Sequence, residues 1–125
     1  MANEFGAHPR PAGGAELYAW VFMRLSGVLL LVLALGHLFI MHVFNSIHQI
    51  DYDFVAQRYL QWFWRAYDLA MLWLAMLHGA NGARTLLDDY LRPSARGWAV
   101  KALYLAGVLF LLLGTWVIIS FQPPT

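Results

Sequence analysis

The chain reads as an all-α membrane protein with three transmembrane helices. Three observations lead there. The first is composition: 61% of the 125 residues are hydrophobic and only 12% are charged, with a mean hydropathy of +0.56. A soluble domain this small cannot bury that much apolar surface. The second is three apolar runs, each reaching the roughly 20 residues that a bilayer crossing needs. The third is the absence of cysteine, which leaves no disulfide, no thiolate ligand and no iron–sulfur cluster held by this chain. The net charge of +1 implies nothing about nucleic acid. There is no repeat, no low-complexity tract and no glycine-rich phosphate loop.

Residues 1–16 read as an exposed polar tail, rich in Pro and Gly, and residues 17–125 as one membrane domain. No apolar stretch with a small-residue cleavage site precedes the first span, so the tail is not expected to be a cleaved leader. His8, in the tail, reads as solvated.

The first helix is expected over about 17–43. Tyr18 and Trp20 are placed as interface anchors. Arg24 follows, in a Met-Arg-Leu-Ser-Gly segment, and then the unbroken run Val28–Leu35. Arg24 either snorkels to the head groups or binds a haem propionate or a quinone oxygen at the surface. Ser26 and Gly27 suit helix–helix contact. His37 and His42 lie toward the far end. A separation of five residues turns them about 140° apart. His37, beside Gly36, is the better buried of the two; its alternative role is an interhelical hydrogen bond.

Residues 45–65 read as a polar connection, with a short amphipathic helix along the surface. The second helix is expected over about 66–89, with Asp68 near its positive N-terminal end. Residues 91–101 read as a loop with Pro93 and Gly97. The third helix, about 98–121, has no charge after Lys101, and Gly107 and Gly114 share a face suited to packing.

The second helix carries the chemistry. An ionisable group inside a membrane helix is costly and marks function by default. His78, Gly82, Thr85 and Asp89 fall on one face, because eleven residues are close to three turns. His78 lies in the apolar part, and Asp89 and Tyr90 lie about 16 Å away, where the helix leaves the lipid. Gly79 and Gly82 leave room for something large and flat, or for a close helix. Arg84 and Arg92 are each four residues from Asp88 and can offset it. Asp89 has no such partner.

Basic residues set the orientation. Arg10 and Arg24 flank the first span, and Arg84, Arg92, Arg96 and Lys101 surround the second connection. Only Arg58 and Arg65 lie on the other side. The N-terminus and the second connection are therefore expected to face the cytoplasm. His78 is then in the inner half of the membrane and His37 in the outer half. Two histidines at different depths do not share one metal. Bis-histidine haem needs two at one depth on facing helices, so each would need a counterpart on a partner subunit or a second copy. Up to two haems, each half-supplied here, would result. No nucleophile–base pair and no second carboxylate sits near the histidines, which favours electron transfer over hydrolysis.

The pattern His78, ten residues, Asp89, Tyr90 resembles the hydrophobic membrane anchor of succinate dehydrogenase (respiratory complex II), of the D-type. The Met-Arg-Leu-Ser-Gly start, Phe54–Arg58, Trp73–Arg84 and the Asp-Asp-Tyr segment look like the actinobacterial and Thermus-like two-haem members. The resemblance covers about 18–90 and the three spans. It implies a multi-pass subunit of a bacterial plasma membrane, packed with a homologous three-helix C-type anchor and holding an iron–sulfur subunit and a flavoprotein. It implies haem b with His78 as axial ligand of the inner haem, and His37 at the position of the outer-haem ligand; His42 competes with His37. Arg24 would contact the cofactor. Tyr90 and Asp89 would belong to the quinone pocket, with Tyr90 on a quinone carbonyl. Two-haem members usually use menaquinone. The expected activity is passage of electrons from succinate to quinone, with no complete reaction on this chain alone. The same anchor architecture serves fumarate reductase. A cofactor-free helical scaffold, with its histidines as interhelical glue, is the alternative from another class.

Overall fold

The computed structural model describes residues 14–122. Residues 1–13, with His8 and Arg10, and the last residues 123–125 lie outside the described residues. The described chain is all helix and turn: α1 is Ala15–Phe39, α2 Tyr52–Tyr59, α3 Trp62–Tyr90 and α4 Pro93–Ser120.

Local chemistry explains the ends. Gly14 opens α1 at φ 131, in the left-handed region that favours glycine. At its other end α1 widens into a π-helical turn, Ile40–Phe44. There the Asn45 side chain donates to the Ile40 carbonyl at 2.8 Å and satisfies a group the wider turn frees. A 3₁₀ turn, Ile47–Gln49, follows. Asp51 caps α2 by accepting from the Phe54 N–H at 2.9 Å, an ordinary N-cap. Pro93 starts α4, where its missing N–H costs nothing.

Three boundaries differ from the sequence reading. The expected loop over 91–101 is helix from Pro93 on, leaving Leu91 and Arg92 as the whole connection. One helical glycine, Gly97, costs only about 1 kcal/mol, too little to break a helix that Pro93 has already begun. α3 likewise starts at Trp62, four residues before the expected 66, so Trp62–Arg65 form its first turn. α1 itself stops at Phe39, and the last residues of the expected helix lie in the π turn.

The three long helices run up, down and up. α3 packs on both α1 and α4. Near its start, Tyr67 Oη donates to the Leu33 carbonyl of α1. A Cβ on Gly36 would sit 2.9 Å from that hydroxyl, so the glycine admits the tyrosine. Arg65 donates to the Ile119 and Phe121 carbonyls at 3.2 and 2.8 Å. It thereby caps the carbonyl end of α4, where a cation is favoured. Farther along α3, Trp73 Nε1 donates to Thr115 Oγ1 at 3.0 Å, and a Cβ on Gly114 would lie 2.8 Å from Leu72 Cδ2. At the end near Tyr18, α1 and α4 stand apart over an apolar cavity of about 440 Å³, lined by Phe22, Met76, Tyr104 and Leu111 among others.

Two helical stretches, Leu17–Phe44 and Pro93–Ser120, are long and apolar enough to cross a membrane. α3 is as long but less apolar, because it carries Arg65, Asp68, His78, Asn81, Arg84, Asp88 and Asp89. The faces of the two apolar stretches are not covered within the chain: Leu25, Val28, Leu31, Val32, Leu105, Phe110 and Trp116 are all at least 60% exposed. So large an uncovered apolar surface belongs against lipid or another subunit.

Candidate functional site

The chemistry-bearing residues separate to two ends of the bundle. His78 projects from α3 toward α1. Its Nδ1 lies 2.8 Å from Ser26 Oγ, and Ser26 is 1% exposed. The serine hydroxyl also faces the Met23 carbonyl of its own helix at 3.4 Å. One hydroxyl has one proton to give. With that proton directed to Met23, the hydroxyl accepts from Nδ1–H and fixes the histidine tautomer. His78 Nε2 then has no hydrogen-bond partner among the described residues. Gly27 lies beside this contact: a Cβ there would meet His78 Cε1 at 3.4 Å, in ordinary van der Waals contact.

The glycines beside His78 divide their roles. Gly82 packs on α1, where its Cβ would meet Met23 Cε at 3.7 Å, while Gly79 faces open space within 4 Å. The shared face of α3 therefore begins against α1 at His78 and Gly82. It ends exposed at Thr85, which turns its hydroxyl back to the Asn81 carbonyl at 3.1 Å, and at Asp89.

At the same end of the bundle, Asp88 pairs with Arg96 at 2.8 Å. The sequence spacing pointed to Arg84 and Arg92; the two-residue turn instead carries α4 back so that Arg96 arrives first. Asp89 is exposed, and Tyr90, the last residue of α3, is 82% exposed. Arg24 is exposed too, with its guanidinium stacked 3.5 Å over Trp20, one turn back on α1. That stacking leaves the guanidinium N–H edge free of side-chain hydrogen bonds among the described residues.

The other end gathers His37, Tyr59 and Asp68. The Tyr59 hydroxyl donates to Asp68 Oδ2 at 2.9 Å. Burial first, then the bond to Asp68, push the Tyr59 phenol up from 10 to about 12. Asp68 Oδ1 faces His37 Nδ1 at 3.9 Å. Sequence reasoning placed Asp68 at a helix start and missed this grouping. Tyr59 and His37 reach Asp68 only through the fold, at sequence separations that no helical or strand period links. His42 is exposed in the π turn, and its Nδ1 lies 3.3 Å from the Leu38 carbonyl one turn back. No group of three metal-binding side chains occurs among the described residues. One histidine per cofactor, completed by a partner, is compatible with that.

A search of curated proteins returns no match. A family model, described as the succinate dehydrogenase/fumarate reductase transmembrane subunit, matches residues 10–119. That match takes in α1 through α4, the His78 face, Asp89 and Tyr90, and the His37 end. The chain therefore belongs to the transmembrane subunit family of the succinate dehydrogenase and fumarate reductase oxidoreductases.

Proposed function

We propose that this chain is the D-type anchor of a succinate:quinone oxidoreductase, carrying haem b and part of a quinone site. The observation that supports this best is the state of His78. Its Nδ1 is engaged by a buried hydroxyl of the neighbouring helix, and Nε2 is left bare. An axial haem ligand needs that tautomer, with the outer nitrogen held by a hydrogen bond. The donor set thus fits one side of a haem, and a C-type partner would supply the other.

When bound, haem b supplies one-electron storage between the partner iron–sulfur subunit and the quinone. His78 would hold the inner haem and His37 the outer one. Arg24, already pre-oriented on Trp20, offers a cation to a propionate or a quinone oxygen at the cytoplasmic surface. Tyr90 donates a hydrogen bond to a quinone carbonyl, and Asp89 gives or takes a proton at the water boundary. Both are exposed in this chain and are covered by the iron–sulfur subunit in the assembly. α3 makes the third membrane crossing between the two more apolar spans. Two haems would accord with menaquinone. The flavoprotein and iron–sulfur subunits lie outside this chain, which by itself completes no reaction. The family covers both directions of the reaction, and steady-state rates on the whole complex separate succinate oxidation from fumarate reduction.

Pyridine haemochrome content per flavin in the purified complex tests this. One or two haems are expected, and His78→Ala is expected to lose the low-spin signal of one. A full low-spin spectrum in that variant would overturn the role of His78. A colourless complex would return the chain to a cofactor-free scaffold.

A further inference from the structure

We propose that Asp68, itself held by Tyr59, orients His37 for metal binding and sets the basicity of that ligand. The inference rests on the reading of His37 as the outer-haem ligand. Three helices converge here. Tyr67, next to Asp68 in sequence, ties the start of α3 to Leu33 of α1, and His37 is one turn farther along α1. Asp68 is thereby brought against the histidine. Its side chain is 17% exposed and that of His37 33%. Asp68 Oδ1 and His37 Nδ1 are both buried, and neither has a hydrogen-bond partner. They face each other at 3.9 Å. A buried acceptor opposite a buried donor, each otherwise unpaired, is a pair about 1 Å short of closing. The second carboxylate oxygen is already fixed by the Tyr59 hydroxyl.

Neither nearby cation is bonded to Asp68, although Nε and Nη2 of Arg58 are buried without a partner among the described residues. Arg65 is committed to the Tyr59, Ile119 and Phe121 carbonyls. Arg58 lies on Met41 Sδ and over the Trp64 ring. Neither makes an ion pair with Asp68 among the described residues. His42, the competing histidine, has only a carbonyl of its own helical turn at Nδ1. A carboxylate on Nδ1–H holds the ring, leaves Nε2 for iron, and makes the ligand more basic. A more basic ligand favours ferric over ferrous iron.

The two side chains behind His37 therefore act in opposite directions. Asp68→Asn withdraws the carboxylate charge and raises the midpoint of one haem. Tyr59→Phe withdraws a donor from that carboxylate, frees it to pull harder on His37, and lowers the same midpoint. The test is a spectroelectrochemical titration of the purified complex, with haem per flavin and the low-spin EPR signal measured alongside. Asp68→Asn is expected to shift one component by about tenfold in its one-electron equilibrium, ~59 mV, and Tyr59→Phe by less, the other way. The second haem stays put. Shifts of the same sign in both variants, or none with haem content intact, would overturn the inference and leave the haem reading standing. If His37→Ala keeps every haem component, the reading of His37 fails and takes the inference with it. Should Asp68→Asn not assemble, the downward shift in Tyr59→Phe decides.

Discussion

With His78 protonated at Nδ1, removing the Ser26 hydroxyl would leave that part-buried donor without an acceptor. The cost of such an orphaned donor is about 1–3 kcal/mol. On the proposed haem reading, Ser26→Ala is therefore expected to bleach the haem at a lower temperature than the parent complex, whereas Ser26→Thr, which keeps the hydroxyl, restores most of the difference. Thermal loss of the Soret band measures both. Tyr59 gives a second test at a single residue. Its phenol is held protonated by burial and by Asp68, up to about 12 against an ordinary 10. A group whose folded value is raised stabilises the fold fully below the unfolded value and loses that contribution as pH rises through the folded one. The Tyr59 contact is thus intact up to about pH 10 and fades toward pH 12. Difference titration in the near ultraviolet between the parent and Tyr59→Phe should show the missing phenol ionising last. Ionisation with the bulk of the tyrosines would refute that.

At the scale of the helices, close approach is set by small residues at three crossings. Ser26 meets His78, Gly36 admits Tyr67, and Gly114 admits Leu72. Gly114→Ala forces its Cβ to 2.8 Å from Leu72 Cδ2 and 3.3 Å from Cδ1. Overpacking of this kind costs about 1–3 kcal/mol. The substitution is expected to lower the thermal midpoint of the complex, and adding Leu72→Ala should recover part of the loss, because the two side chains share one space. Additive losses would show that α3 and α4 are not in contact there. The sequence made Gly114 legible as a packing residue by its spacing from Gly107. It did not name Leu72, since nothing local sets the register of one helix against another. Nor did it give the start of α4, where Pro93 was read as part of a loop; in the first turn of a helix that residue is favoured.

Across the whole molecule, both ends of the bundle are polar and the wall between them is apolar and uncovered. The charge asymmetry of the chain predicts an inward N-terminus in a membrane. An alkaline phosphatase fusion after Gln122 is expected to be active outside the cell, and a fluorescent protein fused at the same point to stay dark. The reverse pattern would invert the assignment of inner and outer histidines.

Amino-acid order alone determined the helical class, two of the three expected apolar spans, the family and the one face of α3 that carries His78 and Asp89. Those properties depend on composition and on a 3.6-residue period, both of which can be counted along the chain. Only the tertiary structure decided which side chain touches each histidine: Ser26 at His78, 52 residues away, and Asp68 with Tyr59 at His37. It also gave Asp88 to Arg96 rather than to the arginines four residues from it. Hydrogen-bond partners across helices are chosen by the register and tilt at which small residues let the backbones meet. That choice is a property of the packed bundle, not of any one segment.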